Sequence, residues 1–272
     1  MTSLRKWILL SLLAFFCLSQ LTLPSVKATE NKWVNSSAIK KIKKSGILRI
    51  GVKQDVPNFG YYSPNSGQYE GMEVDIAKKI AKSLKVKPVF TAVTAQTREA
   101  LLDNGQLDII IATYTITPER QANYSFSKPY YRDEIGFLVN TSQKIASIKD
   151  LNHATIGVAQ GSTTKAAIEE YARNKKLTFK FVQLGSYPEL AISLYAKRIK
   201  AFSVDKSILT GYVSKQSQIL SDGFNQQSYG IASSKANQNL TNYINELITK
   251  WSKDGSLKKI YGKYHLTPAK AE

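Results

Sequence analysis

Cysteine is nearly missing from this chain. Of 272 residues only Cys17 carries a thiol, and histidine occurs twice, at His153 and His265. Cys17 falls inside an N-terminal export signal, so the mature chain has no disulfide, no thiolate nucleophile and no cysteine metal site. Neither histidine has metal-ligand spacing or a nucleophile partner, and no metal or cofactor is expected. Long apolar runs are missing too. Trp7 to Leu18 falls short of the roughly 20 residues a membrane span needs. With Arg5 and Lys6 before it and Ser25-Val26-Lys27-Ala28 after it, the run reads as a cleavable signal over residues 1–28. Leu13-Ala14-Phe15-Phe16-Cys17 is a partial lipoprotein box, with Phe16 where a small residue is normal. Free export is therefore the main expectation, and a lipid anchor through Cys17 the alternative.

Acids are scarce as well: 20 against 38 lysines and arginines, a formal charge of +18 that falls by three when Arg5, Lys6 and Lys27 leave with the signal. Such a chain keeps anionic company: an acidic ligand, an anionic envelope surface or nucleic acid. Nucleic acid fits poorly, because Lys78, Lys79, Lys82 and Lys85 lie along a helix face with no binding motif beside them. GVAQGSTTK has glycines and a lysine at the wrong spacing for a phosphate-binding loop.

What is present is an α/β rhythm. Ile47 to Val52, Val86 to Thr91, Ile109 to Ala112 and Ile135 to Val139 read as strands, with helices at Glu73 to Leu84, Thr97 to Asn104 and Pro118 to Asn123. After a polar stretch from Thr141 the rhythm restarts. Strands at Thr155 to Ala159, Thr178 to Val182 and Ala201 to Val204 alternate with helices at Lys165 to Arg173, Pro188 to Ala196 and Lys206 to Val213. A last strand, Ser228 to Ser233, and a helical tail are too little for a third domain and are expected to return to the first unit. The boundaries predicted are 46–139 plus 229–266 for one lobe and 140–228 for the other. The chain would cross near Phe137 to Asn140 and near Ser228 to Ile231, a two-strand hinge that permits closure.

Ligands of open parallel sheets bind beyond the carboxyl ends of the strands. In DIIIATYTITPER, residues 108–120, a buried strand gives way to Thr113, Thr115 and Thr117, then to a capped helix start bearing Arg120. Lys53 and Asp55 follow the first strand, Arg98 the second, and Thr163, Thr164 and Tyr187 the strands of the other unit. Asp205 ends an otherwise apolar strand and can be a ligand group, an ordinary N-cap of the helix that follows, or both, since the two roles are compatible. This set suits an α-amino acid: Arg120 with Thr115 for the carboxylate, Asp205 with Thr163 for the ammonium. Lys53 and Arg98 are then two spare cations, which points to a second carboxylate on the ligand.

The segments GVKQDVP, GMEVDIAKKIAKSL, LLDNGQLDIIIATYTITPER, YSFSKPYY, GVAQGSTT, AKRIKAFSVDKSIL and WSKDGSLKKIYGKY resemble the extracytoplasmic solute-binding proteins of polar amino-acid ABC importers (family 3), and most of all the aspartate/glutamate-binding branch. The resemblance spans Ile47 to Tyr264. It implies two Rossmann-like lobes joined by a two-strand hinge, the type II periplasmic-binding-protein architecture. It also implies a monomer that delivers its amino acid to a membrane permease, with Lys53, Arg98 and Tyr187 facing a side-chain carboxylate and Thr113 or Thr164 assisting Asp205. Asn58 stands where many relatives have an aromatic platform, and Phe59 follows one step later. Glutamate, aspartate and glutamine stay unranked. The alternatives are a dehydratase-like enzyme on the same fold, built on Glu73 or Glu169, and an envelope adhesion or sensing protein.

Overall fold

The computed structural model describes residues 32–270; the expected export signal over residues 1–28 and Cys17 lie outside them. The strands, in chain order, are β1 (Ile47–Val52), β2 (Asp55–Val56), β3 (Gly60–Ser63), β4 (Gln68–Glu70), β5 (Lys87–Ala92), β6 (Ile109–Ile110), β7 (Tyr124–Phe126), β8 (Tyr131–Asn140), β9 (Thr155–Ala159), β10 (Lys180–Leu184), β11 (Ala201–Asp205), β12 (Ser217–Ile219), β13 (Phe224–Tyr229) and β14 (Ala232–Ser234). They form two main sheets. The first has the order β5-β1-β6-β14-β7, and the second β10-β9-β11-β8-β12 with β13 paired to β8. In each, the three strands at one side run parallel and the returning strands antiparallel. This is the two-lobe α/β architecture of periplasmic binding proteins.

The helix Met72–Leu84 shows why the elements form where they do. Ile76, Ala77, Ile80, Ala81 and Leu84 recur at helical spacing and are buried, and Lys85 closes the helix in the left-handed conformation. Ile76, Ile80 and Leu84 each contribute roughly 1.5–3 kcal/mol by burial, so the apolar stripe outweighs the solvated lysines opposite. The helix Ser37–Ser45, read from sequence only as a polar lead-in, packs chiefly by its buried Ile39 and Ile42, with Ala38 beside them. The hairpin β2-β3-β4 also escaped the sequence reading.

The hinge is placed differently from expectation. The sequence pattern places Ile135 to Val139 in the first unit, yet β8 pairs with β11 from Ile135↔Asp205 to Val139↔Ala201 in the second sheet. A greasy strand reads alike in either lobe; only its partners decide. The first crossing is therefore the segment from Ser127 to Tyr130, between β7 and β8. The expected single strand Ser228 to Ser233 is split, and the second crossing lies at Gly230 and Ile231, between β13 and β14. The two crossings are stitched together: Ser127 N donates to Ile231 O at 2.8 Å, and Tyr130 N to Tyr229 O at 2.9 Å. A side chain at Gly230 would meet Ile116 Cδ1 at 2.8 Å and Phe126 Cδ1 at 2.9 Å, so only glycine lets the crossing pass so close.

Candidate functional site

β6 lasts two residues, shorter than the predicted run to Ala112, and the chain from Ile111 to Thr117 then crosses beneath the hinge. Thr117 ends it as an N-cap, its hydroxyl oxygen accepting from Arg120 N at 3.2 Å, and Pro118 opens the short helix Pro118–Asn123. Arg120 is thereby aimed at the interlobe cleft. Its Nη1 donates to Thr115 O at 3.0 Å, its Nη2 to Gly161 O of the other lobe at 3.2 Å, and its Nε lies 3.4 Å from Glu99.

Arg98 starts the helix Arg98–Asp103 but folds inward. It is 2% exposed, donates to Ala112 O at 2.8 Å, and leaves its Nε without a partner. Burial and the nearby Arg120 bring its pKa down to about 10. The two guanidinium carbons stand 4.2 and 4.5 Å from the centre of one ring, Tyr114, whose negative face eases their mutual repulsion.

Asp205 comes from the other lobe, at the end of β11. Its side chain caps nothing: it accepts from the Tyr229 hydroxyl, while Asp133 takes the capping role by accepting from Ser207 N at 2.9 Å. Burial, with the charge of Asp133 adding to it, pushes Asp205 up to about 7. The ordinary N-cap reading is therefore corrected, because the strand turns the carboxylate into the cleft before the helix begins.

A small, partly open cavity lies between the lobes, lined by Arg98, Thr113, Thr115, Thr163, Thr164, Tyr187 and Asp205. It shares Thr115, Ser162 and Thr163 with an open groove of about 820 Å³ on whose wall Arg120 lies. Lys53 stands one layer back. It is 2% exposed, its Nζ is 3.3 Å from Asp55 Oδ1 and 4.6 Å from the centre of the Tyr187 ring, and burial lowers its pKa. Phe59 is no platform either: it packs edge-on against Tyr131 at 5.2 Å in the hinge. Further contacts hold the lobes shut, from Tyr187 N to Asp55 Oδ2 at 3.4 Å and from the Tyr212 hydroxyl to Asp55 O.

Thr113 adopts φ +46°, a costly conformation for a β-branched residue. Its N–H donates to Glu73 Oε1 at 2.6 Å, and the Tyr130 hydroxyl donates to the same oxygen at 2.5 Å. Burial pushes Glu73 up to about 7 against the pull of Lys53 and Arg98. Sequence reasoning gave no site role to Tyr114, Asp133, Gln227 or Tyr229: Tyr114 stands between two candidate threonines but reads as an ordinary core ring, and the other three lie within β8 and β13 and not after a strand. Glu73 entered it only as an alternative enzyme residue. No cluster of three or more potential metal ligands occurs among the described residues.

Guanidiniums on one wall and a carboxylate on the other complement a zwitterion. Comparison with known proteins agrees. The model of the bacterial extracellular solute-binding proteins, family 3, matches residues 48–267. The glutamine-binding protein of Geobacillus stearothermophilus is 33% identical over 251 residues, 86% of this chain and 94% of its own. The ABC transporter glutamine-binding protein GlnH of Bacillus subtilis is 33% identical over 275 residues, 96% of this chain and 97% of its own. Among solved structures, an ancestral amino acid-binding protein described as a precursor of cyclohexadienyl dehydratase superposes with a TM-score of 0.76 at 30% identity, covering 84% of this chain and 99% of that one.

Proposed function

Because the chain belongs to the bacterial extracellular solute-binding proteins of family 3, we propose that it captures an acidic amino acid, glutamate or aspartate, between its lobes and hands it to the permease of an ABC importer. The observation that carries this reading is that buried Arg98 and buried Asp205, unpaired with each other, line one interlobe cavity, with Arg120 on the wall of the adjoining groove. Arg120 takes the α-carboxylate and Asp205 the α-ammonium. Arg98 makes no ion pair among the described residues, and a buried cation left so costs several kcal/mol, on the order of what a ligand carboxylate returns. That is the place for the side-chain carboxylate. Tyr187 forms the adjoining wall, with Lys53 behind it.

Neither acid that could have served a dehydratase-like reaction lines the cavity. Glu73 is held behind Thr113, and Glu169 pairs with Lys165 at 3.5 Å on the surface. A receptor fits this geometry better than an enzyme. Glutamine is the second reading, favoured by Asp55, whose carboxylate already answers Lys53 and so removes one of the two spare cations.

Calorimetry with glutamate, aspartate, glutamine and arginine tests the assignment. One or both acids should bind with affinity near micromolar, about 8 kcal/mol, and glutamine at least tenfold more weakly. Arg98→Gln should reverse that order. Tighter binding of glutamine than of either acid by the unmodified protein would hand the site to the second reading.

A further inference from the structure

We propose that Gln227 sets the polarity of the amino-acid site: by accepting from Thr115 and Thr163 together, it makes both hydroxyls pure acceptors toward the cavity and so reserves their side for the ligand ammonium. This rests on the reading of the cleft as an α-amino-acid site. Gln227 sits in β13, 2% exposed. Its Oε1 lies 2.9 Å from Thr115 Oγ1 of one lobe and 2.9 Å from Thr163 Oγ1 of the other. The orientation of the amide follows from its other end, where Nε2 donates to Asn225 O at 3.1 Å and to Asn225 Oδ1 at 2.5 Å. A backbone carbonyl can only accept, so the nitrogen faces Asn225 and the oxygen faces the threonines.

The proton count then decides the chemistry. A hydroxyl has one proton and two lone pairs, and an amide oxygen has no proton to give. Thr115 and Thr163 therefore both spend their protons on Gln227. What they turn toward the cavity is lone pairs, which attract N–H donors and repel a carboxylate. Asp205 lines the same cavity, so an ammonium there meets three acceptors. The α-carboxylate is left to Arg120, and Thr115 serves it through its carbonyl grip on that guanidinium, not through its hydroxyl. The fork joins side chains from both lobes at the hinge, where Thr115 pairs with Tyr229 and Ile116 N donates to Ser228 O at 2.8 Å, so Gln227 is a positioning residue.

The test is a crystal structure of the unmodified protein with L-glutamate, together with calorimetry on Gln227→Met and Gln227→Glu. The ligand ammonium should lie within hydrogen-bond distance of Thr115 Oγ1 or Thr163 Oγ1. Q227M, similar in volume but without the acceptor, should lose tenfold or more in affinity, and Q227E, compared with the unmodified protein at about pH 5, where burial keeps its carboxyl protonated so that it donates to Asn225 and accepts from both threonines, should stay within threefold. A ligand carboxylate oxygen on either hydroxyl overturns the proposal, and so does an equal loss in Q227M and Q227E, which would mean that Gln227 only packs. If Q227M fails to fold, the complex and Q227E decide alone. If L-glutamate does not bind the unmodified protein, the acidic-ligand reading has failed. The same structure and variants are then examined with whichever amino acid of the calorimetric panel binds, since every one carries the same ammonium.

Discussion

Glu73, in the first turn of the helix Met72–Leu84, and Asp205, at the end of β11, are buried acids of different lobes. Each is a fully buried carboxyl pushed up to about 7 by burial, and each accepts from a tyrosine at the hinge, Tyr130 for Glu73 and Tyr229 for Asp205. Asp205 lines the cavity and Glu73 does not. Glu73 instead braces the strained Thr113 from behind. A perturbed pKa thus marks both groups equally, and only what each one faces separates a ligand group from a structural one.

Asp205→Asn gives the largest separation. It should weaken amino-acid binding at least a hundredfold by calorimetry, about 3 kcal/mol or more, because a buried ammonium loses its counter-charge. Unfolding by denaturant should change little. If binding survives, Asp205 is no more a ligand group than Glu73. Glu73→Ala runs the other way. It leaves Thr113 N–H and the Tyr130 hydroxyl without an acceptor and opens a cavity, and should cost about 3 kcal/mol of folding stability, read from urea unfolding.

Acidity sharpens the contrast. Both carboxyls keep their protons in the folded chain up to about pH 7, whereas an unfolded chain releases them near 4. Between these values the folded state binds more protons, so the ligand-free protein should lose stability as pH rises from about 4 to 7 and level off above. Affinity should move oppositely, rising up to about tenfold per pH unit as Asp205 ionises and flattening above about 7. Glu73→Gln should shrink the stability slope and leave the affinity slope in place. An affinity slope that vanishes with Glu73 would erase the distinction between the two acids. The smallest effect is expected outside both sites: Tyr212→Phe removes the hydroxyl that reaches Asp55 across the cleft and should weaken binding threefold to tenfold, about 1 kcal/mol, without lowering the unfolding midpoint.

Much of this was legible in order along the chain. The βαβ rhythm announced two lobes because a 3.6-residue stripe such as Ile76-Ile80-Leu84 and short runs such as TIGVA carry their own period. Polar residues at strand ends, Arg98, Thr113 and Asp205 among them, could be singled out because an open parallel sheet brings its strand ends to one edge, and these three line one cavity there. Pairing was not legible. Whether Ile135 to Val139 joins one sheet or the other depends on partners some seventy residues away. The same limit hid Gln227, whose strand FNQQSY is ordinary until Thr115 and Thr163 are brought to it from opposite lobes. It also left Lys53 looking unspent until Asp55 was found beside it.

Gly161 carries a consequence for what kind of motion this molecule allows. A methyl group there would meet Gln96 Cα at 2.8 Å and Ala95 O at 2.9 Å, atoms of the facing lobe, and its φ of +77° adds strain in any state. Only the collision depends on the gap between the halves. Any side chain at this position is a doorstop that keeps the jaws ajar, and the bare backbone is what allows the bite to complete.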